Sequence, residues 1–231
     1  FILNYLLYLT INLKLIKMKK HLLLLAAIIT FSYVGAQDNN AWLQTRVLKV
    51  DPADVEKFEA AVAKKTRMYN SEDGTPRWIT FRILTGQNAN QYLRVQYITS
   101  PEELDNIDTV GNAYWQKTVG QYHTSEAGRL WGRDNNTSYF PEDASRMNLR
   151  RIIYYRYKDS HENDFWRFRW RVKNAMQESG YESIMSVFTC GSGCNGNVVQ
   201  VRFHHDGWVG QSRDYGEPLQ AMIEKYNELY G

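Results

Sequence analysis

Residues 42–50 (WLQTRVLKV) group apolar and β-branched side chains into a stretch of strand composition, then run into Asp51-Pro52-Ala53-Asp54. Asp51 suits an N-cap, Pro52 a first helical position, and Asp54 the acidic first turn. Val55, Phe58, Val62 and Tyr69 then recur at helical spacing and predict one core-facing stripe. The stretch 71–76 (SEDGTP) breaks that helix. Residues 77–85 and 91–99 follow as strands around a turn at 86–90 (GQNAN). Ser100-Pro101-Glu102-Glu103 reads as a capping box that opens a second helical stretch through Tyr114, Trp115 and Val119.

The second half repeats this order. Residues 148–158 read as a strand, 163–179 as a helix, 181–189 and 197–205 as a hairpin, and 217–230 as a closing helix. From Trp78 onward the halves register at a separation of 106, which sets Leu93, Val95 and Tyr97 on Val199, Val201 and Phe203. Ala113 falls on Leu219 in the same register. Residues 128–140 read either as a fourth strand of the first half or as a linker, and the second half ends on its helix. Strand–helix–hairpin–helix, twice, predicts an α+β protein of two tandem ferredoxin-like βαββα(β) units. Each unit is an antiparallel sheet with its helices on one face. The first unit with its linker takes residues 37–140, and the second takes 141–231.

On this repeat and element order, residues 42–230 resemble the dimeric α/β-barrel superfamily in its tandem form. That resemblance implies units packed sheet to sheet. It also implies a pocket between sheet and helices for a small, often aromatic molecule or haem. Cofactor-free oxidation, haem chemistry and isomerisation are the activities it suggests, and fold alone selects none of them.

Composition changes the picture at the amino end. The net charge of +3 arises in residues 1–36, which hold four basic side chains and no acidic one; the remainder carries 24 basic against 25 acidic groups. A near-neutral body has no electrostatic footprint for nucleic acid. Met18-Lys19-Lys20, the apolar run from Leu22 to Phe31, and Val34-Gly35-Ala36 have the layout of a cleavable secretory signal, with cleavage expected between Ala36 and Gln37. The apolar run is too short for a spanning helix, so no membrane association is expected after its removal. Residues 1–17 contain no Met and read as upstream translation, with Met18 as the start. The leader resembles those of exported proteins of Gram-negative bacteria, which implies a periplasmic or secreted protein.

Both cysteines fit an oxidising compartment. Cys190-Gly191-Ser192-Gly193-Cys194 predicts a structural disulfide closing a hairpin tip. No metal site is expected, for want of further thiols or a spaced His/Glu pair.

Four histidines lie beyond the leader: His123, His161, His204 and His205. His204 and His205 end a strand, so one faces inward and the other outward. Either is a candidate base or haem contact beside Arg202 and Trp208. His123 is a further candidate axial ligand, and His161 reads as a capping or solvated group. By strand parity, Trp78, Arg82, Tyr97 and Arg202 are expected to line the ligand pocket with Trp208. On the helix at 163–179, Phe165, Phe168, Val172 and Met176 share the core stripe, while Trp166 and Trp170 lie one turn apart on another face beside Arg167. That pair is a candidate contact with the other unit, a second copy or a ligand. Residues 146–173 hold nine basic groups against three acidic, which fits either a solvated face or anion binding.

The function expected is an exported protein that binds a small organic ligand in an aromatic pocket, with oxidative chemistry open. The alternative is a homo-oligomerising interaction module of the cell envelope.

Overall fold

The computed structural model describes residues 42–231, apart from 73–74, 101, 143, 145–146 and 213–215. The leader, its cleavage junction and Pro101 therefore lie outside the described residues. The first half runs β1 (Trp42–Val50), α1 (Val55–Tyr69), β2 (Arg77–Arg82), β3 (Tyr92–Ile98), α2 (Thr109–Thr118), β4 (His123–Ser125) and β5 (Arg129–Arg133). The second runs β6 (Leu149–Arg156), α3 (Glu162–Glu178), β7 (Met185–Ser192), β8 (Val198–His205) and α4 (Glu217–Tyr230). Asp51 caps as expected, its side chain accepting from the Ala53 amide at 2.9 Å.

All pairings are antiparallel and form one sheet ordered β2-β3-β1-β5-β7-β8-β6, with β4 on the end of β1. The two units therefore share a single eight-stranded sheet. The fourth strand of the first unit, β5, lies within the stretch that read equally as linker. It pairs β1 on one edge and β7 on the other, so its backbone groups are used on both sides. The sheet curls until its two edge strands approach, with the Arg150 guanidinium of β6 5.8 Å from the Phe81 ring of β2.

Three apolar clusters hold this arrangement. Leu48, Val50, Phe58, Tyr92, Trp115 and Val119 fill the layer between the first half of the sheet and its helices. Val172, Met176, Met185, Val187, Val199 and Val201 do the same in the second half. Leu43, Leu93, Val95, Trp131, Phe188 and Val198 occupy the concave face, away from the helices. The disulfide joins Cys190 to Cys194 at the β7–β8 turn, and both cysteines pack against this concave cluster. Gly193 is required there twice over: its φ is +81°, and an added Cβ would sit 2.5 Å from the Gly128 carbonyl oxygen. Cys190→Ser is expected to cost about 2 kcal/mol by loop-closure entropy, read as a lower urea midpoint with an unchanged slope.

Several elements differ from expectation. The capping box opens only one helical turn, Glu102–Asp105, and α2 starts afresh where the Asp108 carboxylate accepts from the Gly111 amide at 2.7 Å. β2 stops at Arg82 because the Asn90 amide bonds back to the Ile83 carbonyl at 2.8 Å and closes the loop. β7 starts at Met185, not residue 181, because Gly180 (φ +65°) ends the helix turn and Tyr181 is buried over α3. The repeat is also displaced by one residue on the hairpin. Leu93, Val95 and Tyr97 face the concave side, whereas Val199, Val201 and Phe203 face the helices. The even separation of 106 thus sets opposite faces against each other, since a one-residue slip inverts every side chain.

Candidate functional site

Polar residues gather on the concave face where β8 crosses it. Along β8, Gln200 and Arg202 point away from the helices, and His204 shares their parity. The Arg202 guanidinium is 1% exposed and donates from Nε to Gln200 Oε1. Gln200 Nε2 in turn donates to Tyr154 Oη at 2.8 Å. Burial holds the Arg202 pKa below its ordinary value; Tyr97 and Tyr154 oppose that shift, and Arg150 adds to it. A guanidinium this deep would normally be matched by a carboxylate. Here its electrostatic neighbours are two phenols and a second arginine.

Between the edge strands opens a cavity of about 750 Å³. Val47, Phe81, Ile83, Leu93, Ile152 and Tyr154 supply its apolar wall. Arg82, Arg150, Arg151 and His205 supply its charged or ionisable groups, and no Asp or Glu lines it among the described residues. The volume suits a small organic molecule. His205 lines the cavity with its Nδ1 2.8 Å from the Gly207 carbonyl oxygen. A carbonyl can only accept, so Nδ1 carries the proton and Nε2 of the neutral ring has the free lone pair.

The residues singled out in the sequence divide between the two sides of the sheet. Tyr97 packs against the concave cluster and Arg202 points to the same side, while Arg82, His205 and Trp208 line the cavity. Trp78 is not with them. It shares the helix-facing side with Arg94, whose guanidinium lies 4.6 Å from its ring, because β2 pairs β3 with Trp78 opposite Gln96. His204 is buried, opposite Arg150 across the β6–β8 ladder. His123 is wedged between Phe58 and Trp115 in the first unit. Trp166 is half-buried, packed on Phe165 and Tyr157, and Trp170 is 49% exposed beside Tyr230. Arg167 is exposed and pairs with Asp164.

Arg150, Ile152, Phe81 and Gln200 were missed. The available signal was the alternation of Gln200 and Arg202 with Val199 and Val201. Such alternation normally reads as a polar face in water, and here the curl of the sheet covers it.

Burial lowers the His123 pKa, and the nearby charges of Arg94 and Arg46 lower it further. Below its unfolded value near 6.5 the unfolded chain then binds more protons than the native one, so stability falls with falling pH. In urea titrations, the drop in stability between pH 7.5 and 5 is expected to be smaller for His123→Phe than for the wild type.

The layer between the second sheet half and its helices does not fit haem. Val172, Met176, Val199 and Val201 fill it with Tyr155, Phe165 and Met222. Arg169, 1% exposed in the same layer, donates to the Met185 sulfur and lies 5.6 Å from the Tyr155 ring. Burial lowers its pKa too. Arg169→Met is expected to leave stability unchanged or to raise it by about 1 kcal/mol, because an unmatched buried cation gives way to a side chain of similar shape. A rise in the thermal midpoint checks this.

The fold, with both ferredoxin-like units in one chain, resembles that of dimeric α/β-barrel proteins. Among solved structures, the chain is similar to a candidate monooxygenase from Fusobacterium nucleatum (TM-score 0.54, 10% identity, covering 81% of this chain and 86% of that one). It is similar to a second candidate monooxygenase from Lactobacillus acidophilus (0.51, 16% identity, 81% and 88%). A mutant chlorite dismutase from Candidatus Nitrospira defluvii gives 0.50 at 10% identity, covering 81% and 83%. No protein-family model and no curated protein matches the sequence. At these identities the likeness is one of fold. No described helix is long and apolar enough to cross a membrane.

Proposed function

We propose that the protein is exported and binds a small amphipathic organic anion in the cavity between β2 and β6. The observation that carries this reading is the lining: an apolar wall facing arginines, with no acidic side chain among the described residues. Apolar walls supply affinity, and a few placed charges fix orientation. Arg150 and Arg151 stand on one edge strand and Arg82 on the other, so an acid group at the mouth meets guanidinium from both sides. Arg202 below adds a positive field in a site of low dielectric. The test compares anilinonaphthalene sulfonate with uncharged phenylnaphthylamine by fluorescence titration. The sulfonate should bind at least about tenfold tighter, and equal affinities would remove the charge argument.

Export rests on the signal layout of residues 18–36 and is supported by the Cys190–Cys194 disulfide, which suits an oxidising compartment. Intact-mass analysis of the protein from its own cells should give a chain starting at Gln37. A retained leader would contradict export by this route.

His205 favours a second reading, a cofactor-free oxidation begun by proton abstraction. Its Nδ1–H is held by Gly207, which leaves Nε2 of this cavity-lining ring as a base toward a phenolic or carbon acid. This reading predicts oxygen uptake with an anthrone or hydroquinone substrate that His205→Ala abolishes. No uptake by the wild type leaves binding as the whole function.

A further inference from the structure

The helix-facing side of the first unit carries a second collection of cations, remote from the cavity in its use of residues. Arg46 of β1 and Arg94 of β3 are directly opposite each other in the ladder. Like charges so paired destabilise a sheet. Arg94 is only 4% exposed and lies between two indoles, 3.6 Å from the Trp115 ring and 4.6 Å from Trp78. Its Nη1 donates to Thr80 Oγ1 at 3.1 Å. Burial and the Arg46 charge bring its pKa down to about 9. Arg46 lies 5.5 Å from the same Trp78 ring, and its Nε is buried without a hydrogen-bond partner.

Two further basic groups adjoin this pair. Lys65 of α1 is 1% exposed, donates to Asn70 Oδ1 at 2.6 Å and feels the Arg94 charge. His123 has both ring nitrogens buried with no side-chain partner, and it feels Arg94 and Arg46. Among the described residues, the acid that reaches these groups is Asp108, 3.7 Å from Lys65 Nζ. The balance is two guanidiniums and an ammonium against one carboxylate, in a layer shielded from water. Indole faces offset part of the cost of desolvating Arg94, but they do nothing for the repulsion between the arginines. Gln44 and Gln96, opposite each other two residues along on the same face, add amide donors beside them.

We infer that this layer is a binding site for the oxyanion group of a small solute, a carboxylate or a phosphate. The anion would lie against Arg46 and Arg94, with the half-buried Trp78 forming one wall. Guanidinium forks match both oxyanions, and an anion there would turn the Arg46–Arg94 pair from repulsive to bridging. This site stands independently of the cavity proposal, since no residue of the cluster lines that cavity.

Isothermal titration of the purified protein with formate and with inorganic phosphate, neither of which has an apolar part for the cavity wall, at ionic strength matched by sodium chloride, tests the inference. At least one oxyanion should bind and raise the thermal midpoint above the chloride control, and which one does so identifies its class. Arg94→Met should weaken it by about tenfold or more. Arg46→Gln, at a half-buried position that threatens folding less, should weaken it as well. Arg150→Gln, in the cavity, should leave it unchanged. Binding no better than chloride would overturn the inference, as would binding that survives Arg46→Gln or that is lost in Arg150→Gln.

Discussion

Trp131→Ala is expected to destabilise the protein by about 3–5 kcal/mol, the usual cost of removing a fully buried tryptophan. Trp131 has no exposed surface and sits at the centre of the concave cluster. Its Nε1 donates to Thr45 Oγ1 at 2.9 Å, and its ring lies 5.9 Å from that of Tyr154. It belongs to β5, the strand through which the halves of the sheet are continuous, so it touches β1 and, across the curl, β6. Truncation leaves a cavity where both halves meet and strands the Thr45 hydroxyl. The thermal midpoint should fall by roughly 6–20 °C. The two units should also separate in urea, giving two transitions in place of one. A loss under about 1 kcal/mol would mean that the halves are not held through this face.

The second large effect concerns binding. Arg150→Gln keeps a polar side chain at the cavity wall but removes its charge. Affinity for the anionic naphthalene probe is expected to fall about tenfold, the worth of one charge-assisted contact. The uncharged probe should bind as before. Arg202→Met should act in the same direction at a cost in stability of about 1–2 kcal/mol, because it leaves the buried Gln200 Oε1 without its donor. Equal losses for both probes in either variant would point to collapse of the cavity and not to charge recognition.

Most elements were legible because local chemistry and pattern agreed. The strand at 42–50, the Asp51 cap and the closing helix fall where composition, capping and pattern put them. The disulfide was legible because two cysteines flank glycines between two strand patterns. The faces were harder. In a strand buried on both sides, such as Tyr92–Ile98, the polar Arg94 and Gln96 face the helices, so alternation does not tell the helix side from the concave one. The repeat was therefore set one residue off, and Trp78 was grouped with Tyr97 although neighbouring strands place them on opposite sides. On α3, Phe168 was assigned to the core stripe, yet it is 39% exposed while Arg169 beside it is buried. Periodicity tracks apolar residues and has no means of expecting a buried arginine.

The cavity itself was not legible. It depends on how far an eight-stranded sheet curls before β2 meets β6, which is a global property of twist and pairing. The resemblance to the superfamily implies a pocket between sheet and helices. In the second unit that layer is closed by valine, methionine and aromatic side chains. What was legible was chemistry without location: Arg202, Arg82 and the paired histidines were chosen for their side chains, and the curl of the sheet then distributed them.

Methyl-labelled protein bound to the anionic naphthalene probe should give intermolecular nuclear Overhauser effects to the methyls of Val47, Ile83, Leu93 and Ile152. Those four residues line the space between β2 and β6. Contacts to Val172, Val187 and Val201 instead would place the ligand in the helix layer and contradict the proposed site.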